Sequence, residues 1–310
     1  MSDQPGPTPV RSGILNIDKP DGVSSHDVVN SIRRIVGMRR IGHAGTLDPD
    51  ANGVLLVCLG SATRVSEYLM DTTKEYRATI RFGEVSTTDD RSGEITVVRS
   101  VAQLADTEIL QPIPRFVGEI QQVPPVYSAI KVSGQPLYKR ARQGQTVIPA
   151  ARLVRIYRIT VVSWSCPDLT VDVTCAKGTY IRSLARDWGE AVGTGAYLRA
   201  LSRTRSGQFG IEDSLSIGQV AQAHRLGYLH RLLYPIDTAL STWPAVFLTS
   251  DDVRRITSGL GWQGPPPITL DRVRAYDSST GRLVGLLHFD QQAGHWQPER
   301  VFAGVVDDAA

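Results

Sequence analysis

The sequence predicts an α+β protein, with a mixed, largely antiparallel β-sheet flanked by helices in a larger domain and a small β-rich domain after it. Three observations carry this reading. Period-two alternation recurs at residues 76–82 and 169–176. Helical periodicity separates such runs, at residues 24–37 and again after Thr179. The composition then shifts near residues 241–245 into short apolar runs broken by Gly264-Pro265-Pro266-Pro267 and several glycines. With 310 residues, 41% hydrophobic and 21% charged, the chain is long enough for one large buried core and a small second domain.

In chain order, residues 1–11 carry Pro5, Pro7 and Pro9, lack the apolar stretch of a signal peptide, and read as a flexible tail. Residues 13–19 make a short strand through Ile14, Leu15 and Ile17, stopped by Pro20. A helix starts near Ser24, which has capping-box spacing with Asp27. Its apolar stripe is Val28, Val29, Ile32, Ile35 and Val36, and Gly37 is its stop. Arg33, Arg34, Arg39 and Arg40 gather positive charge where the helix ends. Residues 41–53 read as a loop feeding 54–59, an unbroken apolar run expected to be buried on both faces.

In the next strand Tyr76, Ala78, Ile80 and Phe82 face one way and Arg77, Thr79 and Arg81 the other. Asp89-Asp90-Arg91-Ser92-Gly93 is a turn into residues 94–98. The 169–176 strand runs through Gly178-Thr179 into a helix whose core face is Ile181, Leu184, Ala185, Trp188 and Val192. Further strands are expected at 272–276, 283–289 and 301–305. The domains are therefore read as a tail over 1–11, a main domain over 12–240 and a small one over 246–306.

Composition excludes several classes. No apolar run approaches the ~20 residues that span a bilayer, so no membrane partner is expected. Cys58, Cys166 and Cys175 are odd in number, widely spaced and set in strand-like runs. They read as reduced core thiols of a cytoplasmic protein, and no Cys/His spacing suits a metal. A net charge of +3 permits an anionic partner without requiring one.

The chemistry-bearing segment is Gly42-His43-Ala44-Gly45-Thr46-Leu47-Asp48-Pro49-Asp50. An Asp before Pro is pushed out of the α region, so Asp48 is held extended, and glycines at 42, 45 and 53 allow tight turning. On these grounds alone an Asp-Pro turn is an ordinary loop. Asp48 and Asp50, with Pro between them, need not converge as an acid/base pair.

Two segments, Gly13-Ile14-Leu15-Asn16-Ile17-Asp18-Lys19-Pro20 and Gly42-His43-Ala44-Gly45-Thr46-Leu47-Asp48-Pro49, resemble the first two motifs of the TruB pseudouridine synthases. The resemblance continues through Lys74-Glu75-Tyr76, then Val123-Pro124-Pro125-Val126-Tyr127-Ser128-Ala129-Ile130-Lys131, and then Gly178-Thr179-Tyr180-Ile181-Arg182-Ser183-Leu184. It spans roughly residues 13–215 in order. It implies isomerisation of a T-loop uridine in tRNA to pseudouridine with no cofactor, in a protein that acts as a monomer and has a second role as a tRNA-folding chaperone.

By that resemblance Asp48 is the catalytic carboxylate, Arg182 its ion-pair partner, Tyr76 the residue stacked on uracil, and Tyr180 and Leu201 the pocket lining. His43 fills the space of the flipped nucleotide, while Lys19 and Pro20 support the active-site floor beside the RNA. The residue types suit the chemistry. A carboxylate is a nucleophile that can leave again, and a free Asp with pKa about 3.9 is ionised at neutral pH. These types are compatible with attack at C6 of uracil, attack at C1′ of ribose, or elimination at the sugar. Arg182 lies about 100° around its helix from Ile181, off the core stripe, which agrees with a role in the site.

From Lys131 to Arg158 there are seven basic residues and no acidic ones, with Tyr138 and Tyr157 interleaved. Lys131, Lys139, Arg140 and Arg142 lie in an insertion at about 125–155 that, by the resemblance, closes on the tRNA T-stem-loop. Residues 246–306 resemble a PUA-type RNA-binding domain, through Gly281-Arg282-Leu283-Val284-Gly285 and the run Gln297-Pro298-Glu299-Arg300-Val301-Phe302.

Overall fold

The computed structural model describes residues 12–127, 149–268 and 270–302, with the backbone of 131–132 and 135–136. Gly13–Lys19 (β1) and Ala51–Leu59 (β3) pair antiparallel, and Ile41–His43 (β2) adds to β3 from 57 to 59. The segment read as a loop at 41–53 is therefore strand at both ends, and only 44–50 is free to present side chains. Ser25–Val36 (α1) has the expected capping box between Ser24 and Asp27 and ends at Gly37, left-handed at φ 67°.

The main sheet continues through Lys74–Phe82 (β4), while Glu84–Ser86 (β5) and Ile95–Val97 (β6) make a separate hairpin. Gly118–Gln122 (β7), Arg152–Ser165 (β8), Asp168–Cys175 (β9), Ala196–Ser206 (β10) and Phe209–Gly210 (β11) complete it. Its order is β1-β3-β10-β4-β9-β8-β7, with β2 on β3 and β11 on β10. Every pairing is antiparallel except β3 with β10, joined at Leu201↔Ala51 and Arg203↔Gly53. That junction brings the strand after the 44–50 loop against a strand 150 positions later.

Ile181–Val192 (α2) covers one face of the sheet, where Trp188 is fully buried against Phe82 and Phe116. Burying such a side chain contributes roughly 1.5–3 kcal/mol. Trp188 Nε1 also donates to the Ile109 carbonyl at 2.8 Å, so no polar atom is stranded. On the β1/β3 side, α1 and Ile217–Arg225 (α3) cover Leu15, Ile17, Leu55, Val57 and Leu59. This accounts for the unbroken apolar run of β3, whose two faces both meet protein.

The C-terminal sheet is Ala245–Leu248 (β12), Arg272–Asp277 (β13), Leu283–Asp290 (β14) and His295–Val301 (β15), packed on the helix Ser250–Thr257 (α4). The last strand begins earlier than expected and ends at Val301, because its ladder with β14 runs from Asp290↔His295 to Gly285↔Val301 across a bulge next to Pro298. Leu286 and Phe302 join Val65 and Leu240 in a small apolar seam with the main body.

Cys58 and Cys175 are buried, and burial pushes their thiols up to about 12 and about 11. Cys166 corrects the core-thiol expectation. It is exposed, because it sits in the tight connection between β8 and β9 rather than inside either strand. Among the described residues, no helix is long and apolar enough to cross a membrane.

Candidate active site

The 44–50 segment is pinned from three directions. The Ser25 hydroxyl of α1 donates to the Leu47 carbonyl at 2.8 Å and accepts the Leu47 N–H at 2.9 Å. Lys19, at the end of β1 and fully buried, donates to the carbonyls of Pro20, Val23 and Pro49 at 2.9, 2.6 and 3.1 Å. Arg203 of β10, 2% exposed, donates to Val54, Gly45 and Thr46 carbonyls at 2.7, 3.2 and 3.4 Å. Beside it Gly53 has φ 99°, and an added Cβ would come within 2.4 Å of the Arg203 carbonyl oxygen, so only glycine fits. Buried cations otherwise cost several kcal/mol, and here each is surrounded by main-chain oxygen.

The partner helix is set as deliberately. Tyr180 caps α2 with no side-chain cap bond of its own. The Gln122 carboxamide at the end of β7 instead accepts the Tyr180 N–H at 2.8 Å and donates to its carbonyl at 3.0 Å. Arg182 then enters the site in the first turn, its side chain only 6% exposed. Its Nε lies 3.0 Å from Asp48 Oδ2, its Nη1 3.3 Å from Asp90 Oδ2, and its Nη2 donates to the Tyr127 carbonyl at 3.0 Å.

Asp48 keeps 38% of its side chain exposed, so one oxygen is paired while the carboxylate still faces a cleft lined with Asp90, Arg182 and Leu201. Burial pushes its carboxyl above the usual range. Arg182 opposes that shift most, while Asp90 and Asp50 add to it. Asp50 lines the same cleft, yet its only described ion contact is Arg91 at 3.9 Å. Among the described residues the two aspartates therefore have different ion partners, Arg182 for Asp48 and Arg91 for Asp50.

Tyr76 is partly buried on β4 beside Arg203, its pairing partner in β10, and burial raises its phenol pKa. His43 sits half-buried in β2. Its Nδ1 is buried without a hydrogen-bond partner among the described residues, and burial lowers its pKa, with Arg203 and His26 adding to the shift. Pro20 is exposed at the end of β1. The structure thus brings together Asp48, Arg182 and Leu201 in one cleft, with Lys19 beneath the 44–50 segment. Lys131, Lys139, Arg140 and Arg142 lie outside the described side chains. Arg152, Arg155 and Arg158 do not, and all three are exposed on β8.

Sequence reasoning missed Asp90 and Arg203. Asp90 sits in what reads as a plain turn, and no local signal distinguishes it. Arg203 could have been found, because period-two alternation puts it on the same face of β10 as Leu201.

Residues 33–181 match the family model described as TruB family pseudouridylate synthase (N terminal domain), and residues 182–241 match that of the tRNA pseudouridylate synthase B C-terminal domain. The chain is 44% identical to tRNA pseudouridine synthase B of Pelotomaculum thermopropionicum over 253 residues, covering 80% of each. It is 40% identical to the protein of that name from Dehalococcoides mccartyi over 295 residues, 94% of this chain and 96% of the other. Among solved structures, a chain of a Cbf5-Nop10-Gar1 complex superposes with a TM-score of 0.70 at 28% identity, covering 93% of this chain and 83% of that one. A chain of an H/ACA RNP bound to a substrate RNA containing 2′-deoxyuridine gives 0.71 at 26% identity, covering 97% and 91%.

Proposed function

This chain belongs to the TruB family of pseudouridylate synthases, and we propose that it converts one uridine of the tRNA T-loop with Asp48 as the reacting carboxylate. It is an isomerase that turns uridine into pseudouridine in tRNA. The N1–C1′ bond breaks, a C5–C1′ bond forms, and the C5 proton leaves while N1 gains one, so no redox partner or group donor is consumed.

The observation that carries the reading is the 3.0 Å contact between Asp48 and an almost fully buried Arg182 at the foot of an open cleft. A carboxylate there keeps its charge through the guanidinium and offers an oxygen to a base brought into the cleft. Such a base must leave its stack, which costs a few kcal/mol. A neutral, half-buried His43 with an unspent ring nitrogen suits the space it vacates. Tyr76 serves as the stacking surface. Its raised pKa leaves even less phenolate at neutral pH, which argues against it as the C5 base. Leu201 and Tyr180 border the uracil.

The basic insertion over about 125–155 and the exposed Arg152, Arg155 and Arg158 hold the T-stem-loop through phosphates, so affinity falls steeply with salt. The 246–306 module adds a further RNA contact. A grip of this kind on folded RNA also supports the second role as a tRNA-folding chaperone, exercised by the monomer in the cytoplasm.

The test uses a T-arm RNA carrying 5-tritiated uridine, since the new carbon–carbon bond releases tritium to water. Asp48→Asn protein is expected to bind this RNA like the parent and to release no tritium. Release at the parent rate by that variant overturns the assignment of Asp48.

A further inference from the structure

One turn along α2 from Arg182 stands a second, partly buried guanidinium, which pairs away from Asp48. Arg186 donates through Nη1 to Asp89 Oδ2 at 2.8 Å and through Nη2 to the Val123 carbonyl at 2.9 Å, and it also pairs with its neighbour Asp187. The two arginines repeat one pattern. Arg182 spans from Asp90 to the Tyr127 carbonyl, and Arg186 spans from Asp89 to the Val123 carbonyl. Each crosses between the same two segments, the 89–90 turn and the 123–127 stretch that leaves β7 toward the basic insertion. Ser183 adds a third tie, donating to the Val123 carbonyl at 2.8 Å.

The turn side of this ladder is under constraint. Asp89 has φ 62°, the sole positive-φ residue other than glycine among those described, and its carbonyl accepts the Leu198 N–H at 3.0 Å. Such a backbone conformation is unfavourable for a residue with a side chain and persists where the surroundings hold it. The Arg186 ion pair is the side-chain contact that does so. Asp90 follows directly. Its Oδ1 accepts from the Thr88 hydroxyl at 2.6 Å and from the Ser92 N–H and hydroxyl at 3.0 and 2.5 Å. The carboxylate that meets Arg182 is thus carried by the whole 88–92 turn, which Asp89 anchors to α2.

We propose that Arg186 and Asp89 form a positioning pair for the reaction. By locking the 89–90 turn and the 123–127 stretch to α2, the pair fixes Arg182 against Asp48. The inference rests on the assignment of Asp48 and Arg182 made above.

Both asparagine and glycine accept a left-handed backbone, so Asp89→Asn and Asp89→Gly remove the ion pair while leaving the turn unstrained. Together with Arg186→Gln and Arg186→Lys, they are measured for thermal midpoint, T-arm RNA affinity and single-turnover tritium release across pH, with Asp48→Asn beside them. The two Asp89 variants are expected to keep the parental midpoint and RNA affinity yet react roughly 10-fold or more slowly, because sub-ångström misplacement of reacting groups is costly. Arg186→Lys, which keeps a cation, is expected to recover part of the rate lost in Arg186→Gln.

The pH profile separates positioning from mere support. Asp48 is faced by Arg182, Asp90, Asp50, Lys19 and Tyr76. Of these, Arg182 holds its pKa down most, so loosening Arg182 lets the pKa rise and moves the acid limb of the rate to higher pH. A variant that only weakens the fold lowers the midpoint and leaves that limb in place. Parental rate and acid limb in both Asp89 variants overturn the positioning role, provided Asp48→Asn is inactive. If Asp48→Asn is active, the assignment of Asp48 fails instead, and the two failures cannot be confused.

Discussion

Charged side chains are handled in opposite ways by the floor of the cleft and by the C-terminal sheet. Under the cleft, Lys19, Arg182 and Arg203 are each 5% exposed or less, and their donors end on main-chain carbonyls or on Asp48 and Asp90. In the C-terminal module Arg254–Asp251 lies largely in water, as does Arg300–Glu67 across the seam, and Arg272 stays half exposed beside Glu299. Desolvating an ion costs several kcal/mol, so apolar residues of similar size would make a cheaper floor. Exposed pairs contribute about 0–1 kcal/mol and tune little. The contrast teaches that the cleft spends stability on fixed geometry, whereas the module uses charge as surface.

The largest effect expected from this contrast is on turnover. Arg182→Ala removes the cation next to Asp48 and takes from Asp90 its described ion partner, and single-turnover tritium release should fall roughly 10²- to 10³-fold. Affinity for T-arm RNA by filter binding should change by no more than a few-fold. Equal losses in both would recast Arg182 as a phosphate ligand and break the comparison.

Next in size is a loss of stability. Arg203→Ala strips the donors from the Val54, Gly45 and Thr46 carbonyls and opens a buried gap, and urea denaturation should show a loss of about 3 kcal/mol or more. A loss below about 1 kcal/mol would mean that water replaces the guanidinium and that the floor is not preorganised. The smallest effect belongs to the module. Arg300→Ala breaks the 2.8 Å contact with Glu67 across the seam, and the same denaturation experiment should register less than about 1 kcal/mol, with tritium release at saturating RNA unchanged. A cost of several kcal/mol there would place preorganised charge in both regions.

The extent to which this was legible in the sequence divides along the same line. The strand at residues 13–19, the helix with its Ser24 cap and Gly37 stop, the doubly buried run of β3 and the core face of α2 all follow from patterns a few residues long. Local patterns failed where pairing or packing overrode them. The 41–53 loop gains strand at both ends from its pairing within the sheet, the last strand starts at His295 because β14 dictates its register, and Cys166 is turned outward by a tight connection. The family motifs named Asp48 and Arg182, yet no local pattern could name their companion Asp90.

By itself, then, the sequence determined most of the element types, the cap and stop of the first helix, and the kind of charge each candidate site residue carries. Those properties depend on side-chain shape and on neighbours one helical turn or one strand pleat away. The tertiary structure alone decided that the Asp-Pro aspartate, a turn aspartate and a carbonyl at residue 127 share the guanidinium of one arginine in the first turn of a helix. Their convergence is fixed by sheet order and by the parallel junction of β3 with β10, and these come from burying the apolar faces of strands far apart in the chain.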